Sequence, residues 1–488
     1  MKKLFLLLIL VLFVPILFLD FKTDANVYAY IGRVIFNGGI PYIDAWDHKG
    51  ISLYLINAIG YGIFGFKSFI GIKILELILI IYAFSRFFTY AGKKHSKLIA
   101  IIAGVFGLFT FKYFFDGGNL TEEYGAVFSL LSVLLLLKRE VKTIDYALIG
   151  AFFIINFTIR ANLISLWVAL FLVYVVQLLT KEASVKKVLL NFLKMGYGAV
   201  AISFVLLAYL LITNSFAAFV DAAFTFNFSY SNSTVSSTLS GVMTSMKRYH
   251  LSIILVVGFF ISFIRFYKDR SRFLELLLIF WIPVELYFGN LSNRIYAHYF
   301  LMWMPLILFS VVIILQELKE RFLASNLKLV IGSLLIFLVC YYVPSYMTLI
   351  DWKKVVLKEK TKPTKIVEYV NDNYLEDSIL VWGNSCYVYN GTNRISPVSF
   401  FYQSIFKYDT ELTRAKMKEF TDQVFVKKPQ LIIDTNNSGF IRLNGANIST
   451  IDLSQKKGLG EFLNLIKEEY QYKEEKFGLT FYELKENE

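Results

Sequence analysis

The segments TDANVYAY, residues 23–30, and GGIPYIDAWDHKG, residues 38–50, follow directly on an apolar run at residues 4–19. Together they carry three aspartates, several tyrosines and a His-Lys pair. An acidic residue a few positions past a run long enough to cross a bilayer lies at the membrane surface. At that surface it meets both lipid head groups and water-soluble molecules, so the interpretation of the chain starts from this loop.

The composition places the loop in a membrane protein. Of the 488 residues, 56% are hydrophobic and only 18% are charged, which is less charge than a water-soluble protein carries. The apolar residues cluster in runs long enough to cross a hydrocarbon core of roughly 30 Å. We predict a polytopic α-helical membrane protein with about 11 transmembrane helices, at residues 4–19, 69–90, 98–115, 124–137, 144–162, 163–180, 194–212, 251–267, 273–289, 299–316 and 327–345.

The charges between these runs indicate an orientation. Lys and Arg cluster in the segments that the positive-inside rule assigns to the cytoplasm, at residues 2–3, 93–97, 138–139, 181–187, 268–272 and 319–328. The N-terminus is then cytoplasmic, the acidic turns lie outside, and an odd number of spans leaves the end of the chain outside the plasma membrane. The net charge of +13 follows from this topology. It does not indicate nucleic-acid binding, because no basic groove interleaved with aromatics is present.

The ends of the chain complete the domain organisation. Lys2-Lys3 before the first run would suit a signal peptide, but a small-residue cleavage site is missing, so we expect an uncleaved span. Residues 350–488 are charged and alternate a helix at 365–374 with strands at 378–382 and 431–434. We therefore predict a transmembrane domain at residues 1–349 and a small extracytoplasmic α/β domain at residues 350–488.

The first outer loop carries residue types suited to group transfer from a sugar phosphate. Such a reaction needs a base to accept the proton of the acceptor hydroxyl and cations to stabilise the leaving phosphate. Asp24 is the candidate base, and Lys49 with His48 are candidates for binding the phosphate. The alternative is that Asp24 is a solvated loop residue or a cap for a helix that begins near Asn26.

The spacing of Asp24, Tyr28 to Tyr30, Gly39 to Tyr42, Asp44 and Asp47 to Lys49 resembles the first extracytoplasmic loop of the GT-C glycosyltransferases. The similarity is greatest to bacterial family-39-like enzymes, which are related to protein O-mannosyltransferases and aminoarabinose transferases. The resemblance implies that Asp24 is the catalytic base and that Lys49 lies near the lipid phosphate. This chain departs from the family in one respect, since Gly50-Ile51 stands where the family has Pro-Pro.

A second segment, GGNLTEEY at residues 117–124, is similar to the acidic second-loop motif of the same family. Its carboxylates could position the acceptor or hold a divalent cation, which takes oxygen ligands. The alternative is that Thr121 and Glu122 cap the helix that follows. The candidates for positioning an acceptor or a cation are Glu122, Glu123, Asp116, Asp44 and Asp47, and the identity of any metal is left open.

A third segment, NRIYAHYF at residues 293–300, resembles the Arg, Tyr and His-Tyr segment that the family places before a proline-containing helix. Arg294 can fork onto phosphate oxygens and His298 can add a donor. Arg160 lies about 18 residues past the inner cluster ending at Lys142, or roughly 27 Å of helix rise. It is therefore a further candidate for the phosphate, and the alternative for both arginines is that they snorkel to the interface.

These residues predict a glycosyltransferase that moves a sugar from a polyprenyl-phosphate donor to an extracytoplasmic acceptor with inversion. The acceptor would be a cell-surface glycan, a wall polymer or a protein. One alternative is a lipid-linked-sugar flippase or polysaccharide transporter, which the concentration of acids in outer turns disfavours. Another is a polymerase or ligase of lipid-linked oligosaccharides, which the size of the donor would distinguish.

Overall fold

The computed structural model describes residues 2–63, 69–230, 235–292, 294–321, 351–353, 355–356, 362–374, 377–407, 410–437, 440–444 and 459–485. The predicted eleventh span, at residues 327–345, lies outside the described residues, as does Cys340. The described part of the chain is mostly helical, and one small sheet lies in the tail.

Long apolar stretches form helices because each residue can satisfy its backbone hydrogen bonds within the segment. A helix covers each of the ten predicted spans that fall within the described residues. The helices before the tail are α1 (Lys2–Phe13), α2 (Thr23–Phe36), α3 (Ile51–Gly62), α4 (Phe69–Lys94), α5 (Lys97–Phe114), α6 (Thr121–Leu136), α7 (Thr143–Ile159), α8 (Ser165–Leu179), α9 (Val185–Ile212), α10 (Phe216–Val220), α11 (Phe226–Tyr230), α12 (Val235–Arg248), α13 (Ser252–Lys268), α14 (Phe273–Phe288) and α15 (Trp303–Arg321).

Several of these helices have the length and composition of membrane spans. Within the described residues, four are long and apolar enough to cross a bilayer, and up to six if each sharply bent helix pair counts as one span. α9 exposes large apolar side chains along its length, with Phe204 71% exposed, Val200 68% and Tyr197 64%. Such a surface is more apolar than water-soluble proteins present.

Contacts between residues divide the chain into two compact units. Unit 1 comprises Met1–Asp20, Lys73–Tyr209 and Ser233–Leu357, and unit 2 comprises Phe21–Ile72, Leu210–Asn232 and Lys358–Glu488. The first outer loop therefore belongs with the tail in unit 2. The predicted domain boundary at residues 349 and 350 stays a prediction.

Unit 1 is a bundle in which α5 packs on α15, α8 on α14, and α13 on both α14 and α15. Trp281 and Trp303 are fully buried in it, and the indole of Trp281 donates a 3.1 Å hydrogen bond to Ser165 Oγ. At one end Arg265 pairs with Glu275 at 3.2 Å and with Glu317 at 2.7 Å. Arg265 thereby ties α13 to α14 and α15 with charge-assisted bonds.

Unit 2 contains helices and one four-stranded sheet. Its tail comprises α16 (Lys362–Asn373), β1 (Ile379–Trp382), α17 (Tyr387–Thr392), α18 (Glu411–Lys427), β2 (Leu431–Asp434), α19 (Leu459–Glu469), β3 (Tyr470–Lys476) and β4 (Leu479–Leu484). The strand order is β1-β2-β4-β3, with β1 parallel to β2 and the other pairs antiparallel. β1 and β2 are buried along their whole length, as the apolar runs at these positions require.

Arg33 at the end of α2 joins the first loop to the tail. Its guanidinium is fully buried and donates to Asn393 Oδ1 at 2.9 Å, to the carbonyl of Tyr389 at 3.1 Å and to the carbonyl of Arg394. A buried guanidinium requires such partners, because its donors cannot reach water. Nearby, Trp46 N donates to Ser399 O at 2.9 Å. The loop and the tail therefore fold as one body.

Candidate functional site

Asp24 lies in the first turn of α2 and is exposed. The helix begins at Thr23, earlier than the alternative interpretation assumed, and the Asn26 side chain bonds back to the carbonyls of Phe21 and Lys22. A carboxylate in a first helical turn is stabilised by the helix dipole. Asp24 shares a helix face with Tyr28, four residues on.

The carboxylate of Asp47 is the centre of a buried cluster, the Asp47 cluster, formed by Asp47, His48, Lys49, Tyr54 and Tyr402. Asp47 is 1% exposed. Tyr54 donates to its Oδ2 at 2.5 Å, and Tyr402 of the tail donates to its Oδ1. His48 Nδ1 lies 3.1 Å from Oδ1. Both carboxylate oxygens thus have donors, which is the condition for burying such a charge.

The chemistry of the side chains determines which atom donates in each hydrogen bond from Lys49 through His48 to Asp47. His48 Nδ1 faces a carboxylate and so carries the proton, which leaves Nε2 as an acceptor in the neutral ring. Lys49 Nζ lies 2.9 Å from that Nε2 and donates to it. Asp47 therefore orients the imidazole, and the imidazole holds the Lys49 ammonium in place.

Two tyrosines fix the main chain at Lys49. Its N–H donates to Tyr54 Oη at 3.1 Å, and its carbonyl accepts from Tyr42 Oη at 3.0 Å. Gly50 follows in an extended conformation, with φ −84° and ψ 159°, and Ile51 opens α3. Because proline adopts nearly this φ and is tolerated at a helix start, the Gly50-Ile51 departure preserves the backbone path.

The electrostatics of the Asp47 cluster keep its carboxyl group ionised. Burial by itself raises the pKa of Asp47, but the contact with the His48 ring, the charge of Lys49 and the bond from Tyr402 together hold that pKa below its usual range. Burial, followed by the Asp47 carboxylate, raises the pKa of Tyr402, and Tyr28 and Asp24 add smaller effects. Asp24 is therefore within electrostatic reach of the Tyr402 hydroxyl.

A second cluster, the Glu122 cluster, lies in unit 1 and consists of Asp116, Glu122, Arg160, His298 and Tyr299. Arg160, directly after α7, pairs with Glu122 in the first turn of α6. Its guanidinium also lies 4.3 Å from the centre of the Tyr299 ring. His298 contacts Tyr299 edge to face, and its Nδ1 lies 3.9 Å from Asp116 Oδ2. Residues from three predicted outer turns thus meet here.

The turn before α6 is shaped by a buried carboxyl group that the sequence interpretation did not include. Gly117 and Gly118 have φ of 94° and 90°, which side chains with a Cβ rarely adopt. A Cβ on Gly118 would lie 2.2 Å from Glu76 Oε1. That same oxygen accepts from Asn119 N at 3.2 Å, and the Glu76 side chain is hydrogen-bonded to Glu123.

The other predicted residues are Asp44, Glu123 and Arg294. Asp44 is exposed and accepts from Ile40 N at 2.6 Å, at the far end of α2 from Asp24. Glu123 faces Glu76, and Arg294 is half-buried ahead of the turn at His298. Among the residues that the structure describes, no group of three or more His, Cys, Asp or Glu side chains could hold a metal ion.

Three contributors were missed from sequence. Glu76 interrupts an apolar run, and a charge at such a depth is itself a signal of function. Tyr54 comes four residues after the loop motif that ends at Gly50, but no pattern around it in the sequence indicates a role. Tyr402 lies 355 residues from Asp47, and nothing local to either residue indicates their contact.

Comparison with solved structures identifies the fold. Over 98% of this chain and 97% of the other, the structure is similar to apo ArnT, the aminoarabinose transferase of Cupriavidus metallidurans, with a TM-score of 0.61 and 12% identity. The same values hold for ArnT bound to undecaprenyl phosphate. The Archaeoglobus fulgidus oligosaccharyltransferase, complexed with zinc and sulfate, gives a TM-score of 0.43 at 13% identity, over 96% of this chain and 71% of that one.

No family model matches the sequence, and no curated protein matches it. The fold is therefore established by the structural likeness to ArnT, which agrees with the GT-C fold expected from the loop motifs.

Proposed function

We propose that this chain is a membrane glycosyltransferase that transfers a sugar from a polyprenyl-phosphate donor to an extracytoplasmic acceptor. The fold shared with ArnT over almost the whole of both chains carries the proposal. The solved ArnT complex with undecaprenyl phosphate supports the class of donor. The loop residues Asp24 and Lys49 support the chemistry.

The proposed reaction is a direct displacement at the anomeric carbon. The acceptor oxygen forms a bond to that carbon as the bond to the phosphate oxygen breaks, and the configuration inverts. Asp24 accepts the proton of the acceptor hydroxyl, for which its exposure in the first turn of α2 suits it. The electron pair of the broken bond leaves with the polyprenyl phosphate.

The Asp47 cluster supports a role for Lys49 in binding the phosphate. Lys49 is a compact cation with three donors, of which one is directed at His48. A cation that is already oriented costs little reorganisation when charge develops on the leaving group. In this proposal His48 and Asp47 act by positioning Lys49. Tyr402 of the tail contributes by donating a hydrogen bond to Asp47.

The other cations that the sequence suggests for the phosphate are Arg294, His298 and Arg160, which belong to unit 1. Arg160 has Glu122 as a counter-ion, so its charge is partly compensated before any substrate binds. Arg294, His298 and Arg160 all stay candidates for the phosphate, and Glu122 and Asp116 are candidates for orienting the acceptor. Glu123 and Glu76 are proposed to stabilise the conformation of the turn before α6.

We extend the proposal to location. The chain would cross the plasma membrane about 11 times, with its N-terminus in the cytoplasm and its tail outside. The distribution of Lys and Arg supports this orientation, and the exposed apolar surface of α9 supports contact with lipid. The acceptor would then be a surface glycan, a wall polymer or an exported protein.

Charged residues buried within predicted spans are the observation that favours the alternative of a transporter. Lys73, Glu76, Lys112 and Glu285 are buried within helices that were predicted to be spans. Charged residues at such depth often mark transport pathways. Two of them make contacts within unit 1: Lys112 pairs with Asp351 at 3.0 Å, and Glu285 accepts a hydrogen bond from Ser165.

The test compares surface glycans from cells with and without the protein, complemented by Asp24→Asn or by Asp372→Asn, an exposed aspartate of α16. Loss of a general base lowers the rate by about 10²–10⁴-fold, so Asp24→Asn should leave the glycan unmodified while Asp372→Asn restores it. Release of labelled sugar from polyprenyl phosphate by the purified chain separates transfer from transport. Full modification by Asp24→Asn at equal expression would reject the proposal.

A further inference from the structure

A cavity of about 500 Å³ lies within unit 2, where the end of α2 and the turn after it face the tail. Its lining is roughly half apolar, and its polar groups differ in chemistry. They are a carboxylate, an ammonium, two amides and two hydroxyls, contributed by Asp44, Lys427, Asn37, Gln423, Ser396 and Ser399.

The walls of this cavity are held by hydrogen bonds. Gln423 Oε1 accepts from Ser399 N at 2.9 Å and from Ser399 Oγ at 3.0 Å. Ser399 O in turn accepts from Trp46 N at 2.9 Å, which fixes the tail against the first loop. Asp44 closes the turn by accepting from Ile40 N. A cavity with fixed walls costs little ordering when a ligand binds.

The cavity is remote from the proposed base. Asp24 and Asn37 lie at opposite ends of α2, and 13 residues of helical rise separate them by about 20 Å. A ligand in the cavity therefore cannot present its reacting hydroxyl to Asp24 unless it is a long chain that spans this distance.

We infer that the cavity binds a section of a polymeric glycan acceptor, several sugar units away from the hydroxyl that is glycosylated. This inference rests on the proposed function. Sugar hydroxyls both donate and accept, and so match a lining of carboxylate, amide, hydroxyl and ammonium groups. Peptide sites instead use an open sheet edge, an apolar groove or an aromatic-lined groove, whereas the described lining of this cavity contains no strand residue and no aromatic ring.

The consequence concerns specificity. Contacts to a part of the substrate that does not react bind the substrate and the transition state equally, and such uniform binding lowers KM without raising kcat. Long acceptor fragments should therefore bind better than short ones, and the difference should depend on the cavity.

The experiment uses the purified full chain in detergent and surface glycan extracted from cells that lack the protein, separated into short and long fragments. Ile43→Trp fills the cavity from a side chain that is 43% exposed, and Asn37→Ala removes an amide. Lys418→Ala, on another face of α18, is the matched control. Affinity for long fragments should fall about tenfold in Ile43→Trp, the effect of losing one good contact, and stay unchanged in Lys418→Ala.

Transfer kinetics separate this inference from the proposed function. Ile43→Trp should raise KM for long fragments at unchanged kcat and leave transfer to short fragments as it is, whereas Asp24→Asn should bind long fragments normally and transfer nothing. Wild-type affinity for long fragments in both cavity variants would overturn the inference, as would binding of peptides from digested surface proteins in place of glycan.

Discussion

The hydroxyl of Tyr402 in the tail donates a hydrogen bond to the carboxylate of Asp47 in the first loop, although 355 residues separate them in sequence. Through His48 the same carboxylate is linked to Lys49. The tail is therefore connected to the loop that carries the proposed chemistry, and this connection can be tested one hydrogen bond at a time.

Tyr402→Phe should reduce transfer with little loss of protein. It removes one of the two phenol donors of Asp47 while keeping the ring, and a hydrogen bond to a charged group contributes about 1.5–3 kcal/mol. We expect a fall of about tenfold or more in kcat/KM. Tyr472→Phe, an exposed tyrosine of β3, is the control. The proposed coupling through Asp47 is wrong if both variants have wild-type kinetics.

The stability that Asp47 provides should depend on pH. Its folded-state pKa lies below the ordinary value of about 4, so the ionised form stabilises the fold above that pH and the stabilisation disappears as pH falls. The apparent melting temperature of Asp47→Asn should lie below that of the wild type from pH 6 to 8, and the gap should begin to narrow only below about pH 4 and continue to narrow as the pH falls towards the depressed folded-state pKa. A gap that does not narrow at all between about pH 4 and the lowest pH at which the wild type stays folded would show that the charge of Asp47 is not involved.

Removing one member of the Arg160–Glu122 ion pair should lower the free energy of unfolding more than replacing both members. Glu122→Ala leaves a largely buried guanidinium without its counter-ion, which costs about 3–5 kcal/mol, whereas replacing both members by apolar side chains is often close to neutral. Thermal unfolding in detergent should therefore rank Glu122→Ala below the double variant Glu122→Leu/Arg160→Met. The reverse order would mean that the pair is not electrostatically coupled.

Arg33→Lys should lower the stability of unit 2. A lysine cannot reach the three acceptors that the guanidinium satisfies on Asn393, Tyr389 and Arg394, and each unsatisfied buried acceptor costs about 1–3 kcal/mol. Limited proteolysis should cut the tail faster in this variant than in Lys418→Ala, an exposed lysine. Equal rates of cutting would contradict this assignment.

The proposed orientation predicts which introduced thiols face the outside of the cell. In a Cys340→Ser background, with Cys386 buried, a membrane-impermeant maleimide should label Lys473→Cys in intact cells. Lys187→Cys, at the start of α9, should be labelled only after permeabilisation. Labelling in the opposite order would invert the topology and, with it, the side on which Asp24 acts.

The fold could be anticipated because its signals are local. Apolar runs such as 98–115 must form helices wherever backbone groups are shielded from water, and α5 covers that run. The alternation of Ile379–Trp382 and Leu431–Asp434 with polar segments likewise gave two strands that the structure contains. The candidate residues of the loop were accessible for the same reason, since Asp24, His48 and Lys49 are close in sequence.

By itself, the sequence determined the helical architecture, the α/β character of the tail and the candidate base and cation. Only the tertiary structure decided that Tyr402 completes the Asp47 cluster, that Glu76 shapes the turn of Gly118, and that a polar cavity lies between the loop and the tail. The physical reason is that a buried charge is stable only beside its partners, and those partners come from segments whose proximity no local pattern records.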